Sequence, residues 1–130
     1  MDAQRARPFD IQIPENGSCT NELPIDRAHL RRYTLGDKAL EDEVLRLFLA
    51  QLPETLAALR SAATERDWKI AAHTLKGSSR AVGAWRIASL AQEAEALRGP
   101  EAEACPDAIA KLEAAASEAR TFFHQSNQLG

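Results

Sequence analysis

The residues best equipped for chemistry lie between Ala71 and Ala84, in the run AAHTLKGSSRAVGA. His73 carries an imidazole, which near pH 7 is neutral enough to act as a nucleophile. Lys76 follows three residues later and Gly77 four, spacings that bring positions onto one face of an α-helix. Lys69 and Arg80 extend that face by a turn in each direction. Trp68, Ala72, Leu75, Ser79 and Val82 recur at the positions of an inward stripe. The segment is therefore expected to be a helix with an apolar inner side. Its outer side presents an imidazole, a neighbouring ammonium and a glycine that leaves room for something to approach. A mid-helix glycine costs about 1 kcal/mol relative to alanine, so its presence calls for a compensating use. An imidazole so placed can attack phosphorus. Phosphoryl transfer asks mainly for positioning and charge stabilisation, and Lys76 supplies a positive charge one turn away.

The elements that must position this face are helical throughout. Alanine and leucine dominate, aromatics are scarce, and glycine and proline fall at punctuation points. Asp26 is placed to cap a short helix running to about Tyr33, closed by Gly36. Asp37 caps the next, from Lys38 to about Thr64, where Leu40, Val44, Leu45, Leu47, Phe48, Leu49, Leu52, Leu56 and Leu59 give a wide apolar surface. Pro53 is expected to kink or split it. Asp67 is expected to cap the histidine helix, from Trp68 to Val82, and Gly83 to end it. A fourth helix spans about Ala84 to Leu97, Gly99-Pro100 is a stop, and a last helix covers Pro106 to Gln125. Four long amphipathic helices with short links imply an all-α fold, an antiparallel four-helix bundle with a short additional N-terminal helix. Residues 1–24, with three prolines and no sustained periodicity, are expected to form a flexible tail, and 25–130 the bundle. Ser78 and Ser79 are small enough to admit a neighbouring helix, and their hydroxyls can bond back to the preceding turn.

Composition narrows the function. A chain of 130 residues is a single domain, small for an enzyme with its own substrate cleft. A net charge of −3 argues against general nucleic-acid binding. The charge is uneven, however. Arg66, Lys69, Lys76, Arg80 and Arg86 face only Asp67 in the histidine segment, whereas acids outnumber bases from Ile87 onward. Cys19 and Cys105 stand far apart without a metal-ligand pattern, which suits reduced thiols in a cytoplasm. No stretch has the length and apolarity of a signal peptide or membrane span, so a cytoplasmic protein that binds no membrane is expected.

The string His73-Thr74-Leu75-Lys76-Gly77-Ser78-Ser79, continuing to Val82-Gly83-Ala84, resembles the histidine-containing phosphotransfer (HPt) domains of two-component phosphorelays. Asp37, Leu40, Phe48, Leu52, Pro53, Leu56, Leu59 and Asp67 are similar to the family's preceding helix, and Ile87 and Leu90 to the following one. The likeness covers about Ile25 to Leu97, and the last helix fits by pattern alone. It implies that His73 accepts a phosphoryl group from a receiver-domain phosphoaspartate and passes it to another receiver. Lys76 would stabilise the phosphoryl charge and Gly77 would give the partner access. The implied partners are response-regulator receiver domains and a hybrid histidine kinase. No intrinsic cofactor is implied, since Mg²⁺ would sit in the receiver's acidic pocket.

The residues carry further expectations. Lys69 and Arg80 are candidates for partner contact, and so are Phe48 and Leu52 if part of their wide apolar surface is exposed. A docking partner is expected to cover the groove between the histidine helix and the Leu45–Leu52 segment. Trp85 and Arg86 would bear on partner choice if they lie near the site. A single acceptor site needs no symmetry, so a monomer without kinase activity of its own is expected. Two other readings stay open on the sequence. One is the dimerisation domain of a histidine kinase, disfavoured by the absence of a Gly-rich nucleotide motif and of an acid after His73. The other is a non-catalytic helical adaptor in which His73 is incidental.

Overall fold

A computed structural model describes residues 23–100, 102 and 104–129 of the chain, with side chains as far as residue 126. The expected flexible tail lies, apart from its last two residues, outside the described residues. Five helices follow one another: α1 (Arg27–Thr34), α2 (Lys38–Ser61), α3 (Glu65–Val82), α4 (Trp85–Glu95) and α5 (Cys105–Leu129). The described residues contain no strand. The four long helices close a ring in chain order: α2 packs on α3, α3 on α4, α4 on α5 and α5 back on α2. Their pairings are antiparallel. Trp68 near the start of α3 meets Ala94 near the end of α4, while Arg60 pairs with Glu113 across α2 and α5. The expected bundle with a short extra helix is therefore the observed fold.

Capping explains most boundaries. The Asp26 carboxylate accepts from the backbone N–H of His29, and the Asp37 carboxylate from that of Leu40. Helix ends shift by up to four residues from those expected, and two local expectations, a cap and a break, are corrected. Thr64, not Asp67, caps α3: its hydroxyl accepts from the N–H of Asp67, which lies inside the first turn. There Asp67 and Glu65 complement the helix dipole instead. The other is Pro53, which does not split α2; the helix runs unbroken from Lys38 to Ser61. Its ring lies on the exposed side, where the carbonyl it deprives of a donor can turn to water.

The core is built from α2, α3, α4 and α5, with Leu45, Leu52, Leu59, Trp68, Leu75, Ile87 and Leu112 almost wholly enclosed. Helix α1 is fastened on by charge as well as by Leu30. Arg27 donates to Glu41 at 2.6 Å, to Asp42 at 2.6 Å and to Ser126 at 2.9 Å, so one guanidinium ties α1 to α2 and α5. Arg31 adds a second bond to Glu41 at 3.2 Å. Burial pushes the Glu41 carboxyl up, but the two guanidiniums outweigh it and hold the group below the usual carboxylate range.

The turn between α3 and α4 receives α1. Gly83 adopts φ +80°, caps α3 through its N–H to the Arg80 carbonyl, and accepts from the Asp26 N–H at 2.8 Å. A Cβ at this position would lie 2.6 Å from the Asp26 carbonyl oxygen. Only glycine meets both demands. Trp85 completes the seat, donating from Nε1 to Asp26 and packing edge-on against the His29 ring.

Candidate functional site

The inner stripe of α3 buries Trp68, Ala71, Ala72, Leu75, Ser79 and Val82 and so turns His73 outward. Its side chain is 69% exposed. The enclosed Ser79 hydroxyl bonds back to the Leu75 carbonyl at 2.6 Å, and Ser78 to that of Thr74 at 3.1 Å, as their positions had suggested. Gly77 is exposed on the same side as His73, and nothing lies within 4 Å of where its Cβ would be. The open approach inferred from the sequence is thus physically present.

The antiparallel register of α3 and α4 brings in a residue that the sequence reading missed. The Trp68 indole donates to the Ala94 carbonyl at 2.7 Å, inside the core, and Lys69 Nζ donates to the Glu95 carbonyl at 3.2 Å. These contacts fix the last turn of α4 beside the first half of α3. Glu95 then reaches both His73 and Lys76. Its Oε2 lies 3.0 Å from His73 Nδ1, and its Oε1 lies 2.6 Å from Lys76 Nζ. The hydrogen bond from Lys76 holds the Glu95 carboxyl below its usual range; burial opposes this, and a hydrogen bond from His73 acts in the same direction as Lys76. A carboxylate at the C-terminal end of a helix is disfavoured by the dipole, and α4 has no basic residue of its own there. The two lysines of α3 supply the compensation.

Other candidates fall differently. Lys76 is only 18% exposed, drawn in against α4. Arg80 donates to Gln92 at 2.7 Å and remains exposed. Phe48 and Leu52 are not a docking surface: they are 6% and 1% exposed and belong to the core. Leu45 and Leu49 are buried with them, and the large apolar side chain that this segment leaves exposed is Leu47 instead. The exposed apolar side chain beside the site is Ile70, on α3 itself. With Arg66, Lys69, His73 and Thr74 it lines a shallow concavity of about 740 Å³. A second, of about 450 Å³, follows the α2–α3 groove past Thr55 and Ala58. Trp85 stands past the far end of α3, whose last residue lies ~13 Å along the axis from His73 at ~1.5 Å per residue, and serves α1 rather than the histidine face.

Among the described residues no group of three or more His, Cys, Asp or Glu side chains is placed to hold a metal ion. Nor is any helix among them long and apolar enough to cross a membrane. Cys105 is buried, its thiol pushed up by burial and donating to the Gly99 carbonyl at 3.2 Å.

Comparison with known proteins agrees with this geometry. Residues 43–122 match the family model described as the Hpt domain. The structure is similar to the crystal structure of the histidine phosphotransferase ShpA from Caulobacter crescentus, with 30% sequence identity and a TM-score of 0.61 over 81% of this chain and 95% of that one. No curated protein matches the chain.

Proposed function

The chain belongs to the Hpt domain family, which makes it a histidine phosphotransfer component of a phosphorelay, and on that premise we propose that His73 is its phosphoacceptor. The observation that carries this reading is an imidazole 69% exposed on α3, with Lys76 and Glu95 gathered at one edge and open space where a Gly77 side chain would begin. With Nδ1 engaged by Glu95, Nε2 is the nitrogen available for attack. Its lone pair forms the N–P bond as the P–O bond to a receiver's aspartyl carboxylate breaks, leaving the electron pair on that carboxylate. Lys76 offsets part of the charge of the incoming group, which is about −2. Gly77 allows the receiver to approach without meeting a side chain.

On this reading the donor and acceptor partners are receiver domains, one of them in a hybrid histidine kinase, and the protein is a cytoplasmic monomer with no kinase activity of its own. The receiver supplies the Mg²⁺. Lys69, Arg80 and Ile70 lie where such a partner would rest, with Ile70 in the place expected for Phe48 and Leu52. The test is phosphotransfer from a panel of phosphorylated receiver domains to wild-type protein and to His73→Gln. The wild type should acquire acid-labile, base-stable phosphate, and His73→Gln should acquire none. Equal labelling of the two would remove His73 from the reaction, and undiminished signalling by the variant in cells would favour the adaptor.

A further inference from the structure

Three aromatic rings form a row on the surface of α1 and the start of α4. His29 and Tyr33 sit one turn apart with ring centroids 5.3 Å apart, and the Trp85 indole meets His29 edge-on at 4.8 Å. Tyr33 is 69% exposed and Trp85 38%. Arg32 is exposed on the same side of α1 and enters none of the ion pairs among the described residues. Arg86, next to Trp85, is 65% exposed. Asp26, at the foot of the row, is already engaged by the His29 N–H and by Trp85 Nε1. The row is thus an apolar surface with a basic rim. The chain arrives at its foot through Leu23 and the fully buried Ile25, so whatever precedes Leu23 is tethered beside the rings.

We propose that the segment Phe9–Glu15, which lies outside the described residues, docks back across this row as an intramolecular strap. Its residue types suit that surface. Phe9, Ile11 and Ile13 alternate with Asp10 and Gln12, between Pro8 and Pro14. Such alternation makes an extended run whose apolar side chains share one edge at intervals of about 7 Å, and the prolines keep it out of a helix. Laid along the rings, that edge covers Tyr33, His29 and Trp85. Glu15, the next position on the same edge, falls at the rim. The segment holds two acids, Asp10 and Glu15, and no base, the opposite sign to Arg32 and Arg86. From Glu15 to Leu23 the chain reaches up to about 27 Å when extended, and Asn16-Gly17 supplies a pair suited to reversing its direction. So short a link sets an effective concentration in the millimolar range, at which even a weak contact closes. A second copy is a poorer occupant, because a stable dimer takes about 20–30 residues a side and the row offers only a few.

The strap is tested in the full chain by paramagnetic relaxation. Cys19→Ser with Gln12→Cys places a nitroxide on the edge turned away from the rings, and the buried Cys105 is left unlabelled. The Trp85 indole and Tyr33 amide signals should lose more than half of their intensity. Ile70, ~20 Å along α3 from Gly83, should keep its own. Adding Ile11→Ser, which removes the middle of the apolar edge, should restore the lost signals. Attenuation that survives Ile11→Ser, or that spreads evenly over the surface, would overturn the strap. So would attenuation in a mixture of nitroxide-bearing chain and ¹⁵N-labelled chain without nitroxide, which would give the row to a second copy. Undiminished Trp85 and Tyr33 signals would overturn it equally and leave the row to a different protein.

Discussion

Glu41 and Glu95 each hold two basic side chains, at opposite ends of the bundle. Glu41 is 1% exposed, and both of its partners, Arg27 and Arg31, are guanidiniums from α1. Glu95 is 26% exposed, and its partners are a lysine and an imidazole from α3. In the first cluster every charge is committed to joining helices, and two permanently charged arginines leave nothing to titrate or react near pH 7. In the second, one partner can exchange its bond for another and the other carries a nucleophilic nitrogen. Burial and partner type, rather than the carboxylate itself, separate a fastening from a working site.

The contrast can be broken most severely at Glu41. Glu41→Gln should destabilise the fold by about 3 kcal/mol, because it leaves Arg27 enclosed with a weakened counter-charge. Urea titration measures this, and the folded fraction should still accept phosphate. The wild type should also lose this contribution in acid. The folded protein holds the Glu41 carboxyl below its usual range, so the unfolded chain takes up the proton more readily, and stability falls as pH drops through and below the carboxylate range. The variant should show a shallower acid limb; an unchanged one would mean that Glu41 is not the fastening described here.

A smaller effect, with the opposite signature, is expected at Lys76. Lys76→Ala should slow phosphotransfer by about tenfold, the worth of one charge-assisted contact, while shifting stability by only about 0.5 kcal/mol. A large melting shift with normal transfer would place Lys76 with Arg27 among the fastenings. A stability change of the opposite sign belongs to Gly77. Gly77→Ala should stabilise the fold by up to about 1 kcal/mol, since α3 gains helix propensity and no atom lies in the way. Gly77→Gln should keep a normal circular dichroism spectrum yet fail to accept phosphate from a receiver. Wild-type transfer by Gly77→Gln would show that the partner does not cross this position.

How far all this was legible in the sequence depended on range. Asp26 and Asp37 fixed the starts of their helices because a cap acts within three residues. The α3 cap went astray because Thr64 and Asp67 both have capping side chains, and the chain used the earlier one. Phe48 and Leu52 were offered as a docking patch because periodicity measures the width of an apolar face and not its centre. Contact with α1, α3 and α5 leaves Leu40 and Leu47 outside and encloses the other two. Glu95 was missed because it stands 22 residues from His73 and needs a tertiary register to arrive there. A signal was nonetheless present. The two residues are equidistant from Ala84, at the turn between antiparallel helices, and reflection about that turn would have paired them.

Gly83 gives the recognised sequence run a double character that matters to genetics. It belongs to the same short string as His73, yet it touches no reacting group; it serves the turn and the backbone of Asp26. On the proposed function, an allele changed at this glycine would silence the pathway as one changed at the histidine does, by lowering the amount of folded protein rather than its activity. A screen scored only on signalling would return both alleles as one class. Immunoblots would divide them: the histidine allele at full abundance, and the glycine allele depleted and open to rescue by lower growth temperature.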